Sequence, residues 1–291
     1  ERDGDTRAAL DHWRQVLTTA PLAMDAHQAV SYLTAETQGR TAALEHLRAA
    51  CERFPHHFPL HQLWLGWLRQ DGLDATEPVV RRLVDINPQD AWARRELASL
   101  LCERRDFEAA LRELELAAQL EPENPALFNI RGAVRLAQGH LAEAQADFRE
   151  SLRRSVDSDY PMRELFRASP TREARQEAVA FLRAELVRQV TFGDGLLNFA
   201  DVAAPFLPPE ELLAVLRDAH RERPDLWHAW SALAVQLHAQ KQPGEALMLV
   251  REATQRFPHL PRLWLDRGRI DRKSTRLNSS HVSESRMPSS A

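Results

Sequence analysis

The sequence is poor in the residues that build β-sheets and their turns. It has only 10 Gly and 2 Tyr in 291 residues, and it lacks runs of alternating Val, Ile and Thr, so strands and hairpins have little to be built from. No stretch of 18 apolar residues occurs, which excludes a membrane-spanning helix. Cys51 and Cys102 stand alone, without a CxxC partner, which excludes a disulfide framework and a zinc ribbon. Ala, Leu, Arg and Glu dominate and favour helix.

The charge balance argues against nucleic acid as a partner. Residues 1–270 carry a net charge of −6, whereas a nucleic-acid-binding domain needs a basic surface. The final segment, 271–291, loses all apolar periodicity and is rich in Ser. It resembles an adapter-derived or vector-derived tail, so it is expected to be disordered and non-native. The chain also begins without Met, which suggests a fragment.

The tetrapeptide RFPH occurs twice, at 53–56 and at 256–259, and the two copies are 203 residues apart. Prolines between them keep a regular spacing of 34 residues, with a single one-residue deletion between Pro55 and Pro88. A period of this length indicates a helical repeat. The anchor prolines are Pro21, Pro55, Pro88, Pro122, Pro224 and Pro258.

Each repeat ends in a helix with a small, large, small pattern of side chains. In one repeat the pattern is Ala144, Phe148 and Ser151, and in another it is Ala246, Val250 and Ala253. Spacings of 4, 3 and 7 residues lie on one helical face. Small residues let a neighbouring helix approach, and the large residue fills the space between helices.

These residues, with Phe128, Gly132, Trp230 and Leu233 in the preceding helices, resemble the tetratricopeptide repeat (TPR) family. The resemblance implies an all-α fold, an α-solenoid of antiparallel helix pairs that forms a right-handed superhelix. We refer to the first helix of each pair as helix A and the second as helix B. A TPR-like domain is predicted over 1–270, with a leading helix B at about 6–19 and a trailing helix A at about 260–270. The seven complete units are predicted at about 24–55, 58–88, 91–122, 125–156, 159–190, 193–224 and 227–258.

Two units depart from the family pattern because of extra prolines. Pro170 falls where helix A should still be running, and Ser169-Pro170 has the pattern of an N-cap and first turn of the next helix. Pro205, Pro208 and Pro209 fall in the turn between the helices of unit 193–224. Both units are expected to keep their helix pair, with a shorter helix A or a longer turn.

Candidate catalytic and metal-binding motifs are weak. His57 and His61 are four residues apart, which is a possible spacing for metal ligands, but Pro59 is expected to open a helix and place His57 in the turn. Gly193-Asp194-Gly195 follows no strand and is too short for a phosphate loop. No nucleophile motif such as GxSxG occurs. The chain is therefore predicted to be no enzyme and to use no cofactor or metal.

The resemblance to TPR proteins implies a protein-interaction scaffold that binds a peptide or a partner protein in a concave groove lined by helix A. Arg163, Arg167 and Asn198, which flank the irregular units, are predicted as the centre of binding. The Lys/Asn carboxylate clamp of some family members does not occur in its usual arrangement. The predicted groove residues are Trp92, Arg95, Ser99, Asn129, Tyr160, Arg163, Arg167, Asp194, Asn198, Asp201, His228 and Ser231.

Two other interpretations stay open. The chain could be the non-catalytic arm of a larger enzyme, such as a transferase, hydrolase or peptidase, or an RNA-processing scaffold of the related half-a-TPR type. The second is suggested by two Leu-Trp-Leu triplets, at 63–65 and 263–265.

Helices at the two ends lack a pairing helix, so self-association through exposed apolar surface is expected. A cytoplasmic location is expected.

Overall fold

The computed structural model describes the backbone of residues 2–189 and 193–284, and the side chains of residues 5–189 and 193–272. This part of the chain forms sixteen α-helices and contains no β-strand. The predicted all-α class and the helical repeat are therefore confirmed. The chain divides into two compact units, Glu1–Glu123 and Asn124–Ala291.

The first compact unit contains seven helices. A leading helix is followed by three pairs, and each helix packs against the next in sequence. The helices are α1 (Arg2–Thr19), α2 (Met24–Gln38), α3 (Arg40–Arg53), α4 (Phe58–Leu68), α5 (Leu73–Ile86), α6 (Ala91–Glu103) and α7 (Phe107–Leu120).

The second compact unit contains nine helices, which form four pairs and a final long helix. Successive A helices also touch, because α10 contacts α12, α12 contacts α14 and α14 contacts α16. The helices are α8 (Pro125–Ala137), α9 (Leu141–Arg154), α10 (Asp159–Arg167), α11 (Arg172–Arg188), α12 (Asp194–Ala203), α13 (Pro209–Glu222), α14 (Trp227–Ala239), α15 (Pro243–Arg256) and α16 (Pro261–Glu284).

The anchor prolines have a recurring hydrogen-bonding role that their spacing alone did not reveal. A proline that stops a helix leaves its own carbonyl oxygen to be satisfied in the following turn. In four repeats, a side-chain N–H located six residues later donates to this oxygen. The four bonds are His27 Nε2 to Pro21 (2.9 Å), Arg94 Nε to Pro88 (2.8 Å), Trp230 Nε1 to Pro224 (2.9 Å) and Trp264 Nε1 to Pro258 (2.9 Å).

The small, large, small pattern lies in the helix interfaces. Ala144, Phe148 and Ser151 on α9 are all buried, and so are the corresponding residues of α15. Gly132 on α8 faces the Phe148 ring so closely that a Cβ atom at Gly132 would lie 2.8 Å from the ring. This close approach explains why one helix carries a glycine where its partner carries a phenylalanine.

The two irregular units keep their helix pairs. Helix α10 has only nine residues, as Pro170 predicted, but the N-cap of α11 is Thr171. The expected cap, Ser169, instead donates its hydroxyl to Leu165 O, while Thr171 Oγ1 accepts the N–H of Ala174 at 3.1 Å. In the next unit, α12 ends at Ala203 and Pro209 occupies the first turn of α13, where its missing N–H costs nothing.

The last described helix, α16, extends past the predicted end of the TPR-like domain at residue 270, to Glu284. The expected disorder and non-native origin of 271–291 stay predictions. No proline or glycine falls between Asp271 and Glu284, so nothing in the local sequence stops the helix. Residues 285–291 lie outside the part of the chain that the structure describes.

Candidate interaction surface

The predicted groove residues differ in burial and in their contacts within each compact unit. Three of them are buried by contacts within their own unit. Arg95 pairs with Glu121 at 2.6 Å, and Ser231 donates its hydroxyl to Asp266 Oδ2 at 2.6 Å. His228 stacks on Trp227, with ring centroids 3.8 Å apart. These contacts bury the three side chains, and their part in a binding groove stays a prediction.

The predicted centre of binding is already engaged within the chain. Arg163 pairs with Asp159 at 2.7 Å, and the exposed Arg167 pairs with Glu164 at 2.8 Å. Asn198 Nδ2 donates to the carbonyl oxygen of Asp157 at 3.4 Å. These groups therefore offer less free hydrogen-bonding capacity than the sequence suggested.

The predicted residue Asp194 lies at the start of α12, close to Asn198 and His228, which are described above. Gly195 N donates to Asp157 Oδ1 at 2.9 Å, and a Cβ atom at Gly193 would lie 2.4 Å from His228 Nδ1. Burial lowers the pKa of His228, and the carboxylates of Asp194 and Asp157 partly oppose this effect. Asp194, Asn198 and His228 therefore lie close to one another around the start of α12.

The remaining predicted residues differ in exposure. Trp92 packs edge-on against Phe58, with ring centroids 6.3 Å apart, and the side-chain oxygen of Asn129 is buried. Tyr160 and Asp201 are exposed, and Ser99 is half-buried.

One cavity on the A helices of the first compact unit contains none of the predicted residues. We call it the Tyr32 cavity. It has a volume of about 440 Å³ and lies between α2 and α4. Tyr32 is 60% exposed and meets Trp67 at a centroid distance of 5.4 Å with an interplanar angle of 58°. The cavity is lined by Tyr32, Arg40, Gln62, Leu63, Gly66, Trp67 and Gln70.

Gly66 lies inside helix α4 and nothing in the protein packs on it, as is also true of Gly268 in α16. No atom lies within 4 Å of the position that a Cβ atom at Gly66 would occupy. A glycine inside a helix costs about 0.5–1 kcal/mol relative to alanine, and packing does not explain it here. The glycine does let another chain approach the helix backbone closely, between the two aromatic rings.

The lining of the Tyr32 cavity presents no unpaired charge. Its one cationic side chain, Arg40, binds both carboxylate oxygens of Asp71 at 2.7 Å and also donates to the carbonyl oxygen of Trp67. Hydrogen bonding to Arg40 lowers the pKa of Asp71, so both partners stay ionised. The free polar groups of the lining are the amides of Gln62 and Gln70.

A signal for this cavity was available in the sequence. Tyr32 and Gly66 lie eleven residues after their anchor prolines, which is also the position of Ser99. The predicted groove residues include the polar residues at this position in other repeats, but they do not include Tyr32. The pairing of Tyr32 with Trp67 depends on the distance between two A helices, which the sequence pattern does not provide.

The histidines with metal-ligand spacing have structural roles. His57 is the N-cap of α4, and its Nδ1 accepts the N–H of Leu60 at 3.3 Å. His61 Nδ1 donates to the carbonyl oxygen of His57 at 3.1 Å. Within residues 5–189 and 193–272, no group of three or more His, Cys, Asp or Glu side chains is placed to hold a metal ion. Likewise, none of the described helices combines the length and the apolar character needed to cross a bilayer.

Comparison with known proteins defines the fold. No protein-family model and no curated protein matches the chain. Yeast Tom70 matches with a TM-score of 0.51 and 12% identity, covering 98% of this chain and 61% of that one. A tetratricopeptide repeat protein from Parabacteroides merdae gives 0.46 and 15%, covering 85% and 98%. The Cut9–Hcn1 hetero-tetramer of APC/C gives 0.45 and 13%, covering 91% and 52%.

The match to Tom70, together with the seven helix pairs at a 34-residue period, shows that this protein has the tetratricopeptide-repeat fold. The chain spans about three-fifths of the Tom70 chain.

Proposed function

We propose that this protein is an interaction scaffold that binds an extended peptide segment of a partner protein on its A helices, with the Tyr32 cavity as the main contact. The observation that carries the proposal is an exposed Tyr32–Trp67 pair beside Gly66, a helical glycine on which nothing packs. Exposed aromatic residues are enriched among the side chains that dominate binding energy.

The chemistry of the cavity favours a mostly uncharged peptide. The two rings offer flat apolar faces, and Gln62 and Gln70 offer amide donors and acceptors that can bind a peptide backbone. Because Arg40 is neutralised by Asp71, no net charge attracts an acidic or a basic side chain.

The proposal is tested with peptides selected from a random library on the wild-type protein. Their dissociation constants are then measured by fluorescence polarisation against Tyr32→Ala and Trp67→Ala. Each substitution is expected to weaken binding about tenfold or more, because loss of a central aromatic contact typically costs over 1 kcal/mol. Gly66→Leu, which fills the cavity floor, is expected to weaken binding at least as much.

The matched control is Met248→Ala on helix B of another pair. Met248 is 72% exposed, so its removal tests whether any exposed apolar side chain has the same effect. Selected peptides that bind the three cavity variants as tightly as wild type would refute the Tyr32 cavity as the binding site. Loss of binding in an Arg163→Glu, Arg167→Glu variant alone would move the site to α10.

A further inference from the structure

A second pocket in the first compact unit lies among α1, α2 and α3, and its lining shares no residue with the Tyr32 cavity. We call it the His46 pocket. Its volume is about 320 Å³, and its lining includes Arg14, Leu17, His27, His46, Arg53 and Phe54. No aspartate or glutamate is part of that lining. A pocket with two arginines, two histidines and no acid has positive character.

The two histidines form a hydrogen-bonded pair that is neutral at pH 7. His27 Nε2 faces the carbonyl oxygen of Pro21 at 2.9 Å, which can only accept, so this nitrogen carries the proton. His27 Nδ1 must therefore accept the N–H of His46 Nε2, at 3.2 Å. Burial, the His27 ring and Arg14 lower the pKa of His46 to about 4. The positive charge of the pocket thus resides on Arg14 and Arg53.

Neither arginine has a close carboxylate. Arg14 lies 3.9 Å from Asp11, on its own helix and at the limit of an ion pair. Arg53 lies over the Phe54 ring, 5.2 Å from its centroid, and the described residues place no carboxylate within ion-pair distance of it. Among the described residues, the contact of Arg14 with Asp11 is thus the one ion pair that either guanidinium group makes.

The second RFPH copy provides an internal comparison. We call the segments around the first and the second RFPH copy the first and the second corner. Equivalent residues of the two corners are 203 positions apart, so Arg217, Arg256 and Phe257 correspond to Arg14, Arg53 and Phe54. The histidines are replaced by larger or apolar residues, because Trp230 stands for His27 and Leu249 stands for His46. Trp230 is buried and packs against His220 at a centroid distance of 4.2 Å.

The second corner also has the carboxylates that the first one lacks. Arg217 binds both oxygens of Glu245, at 3.0 and 2.8 Å, where the first corner has Ala42. Glu252 stands where the first corner has Ala49, which lines the His46 pocket. In the second copy, Arg217 is paired with a carboxylate and Trp230 and Leu249 replace the histidines, whereas the first copy has an open, cationic pocket. Arg256 lies over the Phe257 ring, as Arg53 lies over the Phe54 ring.

We propose that the His46 pocket binds a phosphate monoester. Two guanidinium groups match the charge of a phosphate dianion, and arginine suits phosphate because its N–H groups bind two oxygens at once. Leu17, Pro21 and Phe54 provide apolar surface for the organic part of the ligand. This site is independent of the peptide surface on the A helices.

The test uses phenyl phosphate as the probe and isothermal titration calorimetry as the measurement. Ala49→Glu introduces the carboxylate of the second corner without removing any packing, because Ala49 is exposed. Ala49→Glu is expected to weaken binding about tenfold or more, because its carboxylate competes with phosphate for the two arginines. Arg14→Gln and Arg53→Gln are expected to weaken binding to a similar extent, because each removes a charge-assisted contact. Inorganic phosphate is expected to bind more weakly than phenyl phosphate, since it gains nothing from the apolar lining.

Three controls make the outcome decisive. Ala49→Gln has the size of glutamate without its charge, and Arg48→Gln and Arg256→Gln remove arginines at equivalent repeat positions outside the pocket. All three are expected to bind phenyl phosphate within about twofold of wild type, since distant surface charges are screened. Absence of binding to wild type, or equal binding by Ala49→Glu and Ala49→Gln, would overturn the proposal. Circular dichroism on each variant checks that the fold is retained.

Discussion

Gly66 and Gly132 lie at neighbouring positions of helix A in different repeats, and their surroundings are opposite. The ring of Phe148 covers Gly132, so this glycine is required for helix packing. Gly66 faces open space in the Tyr32 cavity. Gly66 therefore leaves the helix backbone accessible beside Tyr32 and Trp67, which is the residue-scale support for the proposed binding site.

This contrast predicts opposite effects of alanine at the two positions. Gly66→Ala is expected to stabilise the protein by about 0.5–1 kcal/mol, because alanine favours helix and its Cβ atom meets nothing. Gly132→Ala is expected to destabilise it by about 1–3 kcal/mol, because the buried Phe148 ring must move. Urea unfolding at 25 °C measures both. Stabilisation by both substitutions would contradict the packing described for α8 and α9.

At the scale of the element, one repeat position is used for different chemistries. The pair His27–His46 joins α2 to α3, and the corresponding residues of α6 and α7 are Arg94 and Glu113, which form an ion pair at 2.8 Å. In α14 and α15 the same positions hold Trp230 and Leu249. The backbone geometry of a helix pair therefore accepts polar, ionic or apolar contacts, provided that the two side chains match each other.

The histidine pair predicts a pH dependence of stability. The folded-state pKa of His46 is about 4, below the ordinary value of 6.5, so the unfolded chain binds more protons between these pH values. Stability contributed by His46 is therefore fully present above pH 6.5 and is lost as the pH falls towards 4. The loss is expected to be about 1–2 kcal/mol after allowance for partial exposure.

The measurement is urea unfolding of wild type and His46→Leu at pH 7 and pH 4.5. Leucine is the residue of the second RFPH corner and does not titrate. Carboxylates elsewhere affect both proteins equally, so the difference between their pH profiles reports the titration of the hydrogen-bonded His27–His46 pair. Identical profiles would show that His46 is not held neutral by burial.

At the scale of the whole molecule, each of the two compact units is a row of helix pairs in which contacts are mainly between neighbours. Stability in such an array is approximately a sum of local terms. A perturbation in one pair should accordingly loosen that pair and its neighbours more than distant helices.

Ala144→Leu tests this behaviour. Ala144 is fully buried between α8 and α9, so the larger side chain is expected to cost about 1–3 kcal/mol. Hydrogen exchange should accelerate in α8 and α9, and exchange in α2 and α3 should stay unchanged. The control is Ala142→Leu, on an exposed turn of the same helix, with an expected effect within about 0.5 kcal/mol. Uniform acceleration across all helices would show that the chain unfolds as a single cooperative body.

The repeat was accessible from the sequence because helix pairs of constant length leave a periodic record. The prolines at 34-residue intervals, and small and large residues such as Ala144 and Phe148, encode local geometry and nearest-neighbour packing. Such features depend on residues close in sequence or at fixed repeat positions, so the helix pairs and their buried faces were predictable. The continuation of α16 to Glu284 was not, since lost apolar periodicity does not by itself stop a helix.

The functional surfaces depended on the tertiary structure. Ser231 is a predicted groove residue, but its hydroxyl donates to Asp266, which lies 35 positions away in the sequence. Tyr32 and Trp67 are also 35 positions apart, and the sequence does not state the angle between their rings. Partners on successive A helices are set by the distance between helices, to which many side chains contribute. The sequence by itself thus determined the period and the core, whereas only the tertiary structure decided which polar and aromatic side chains remained free to bind another molecule.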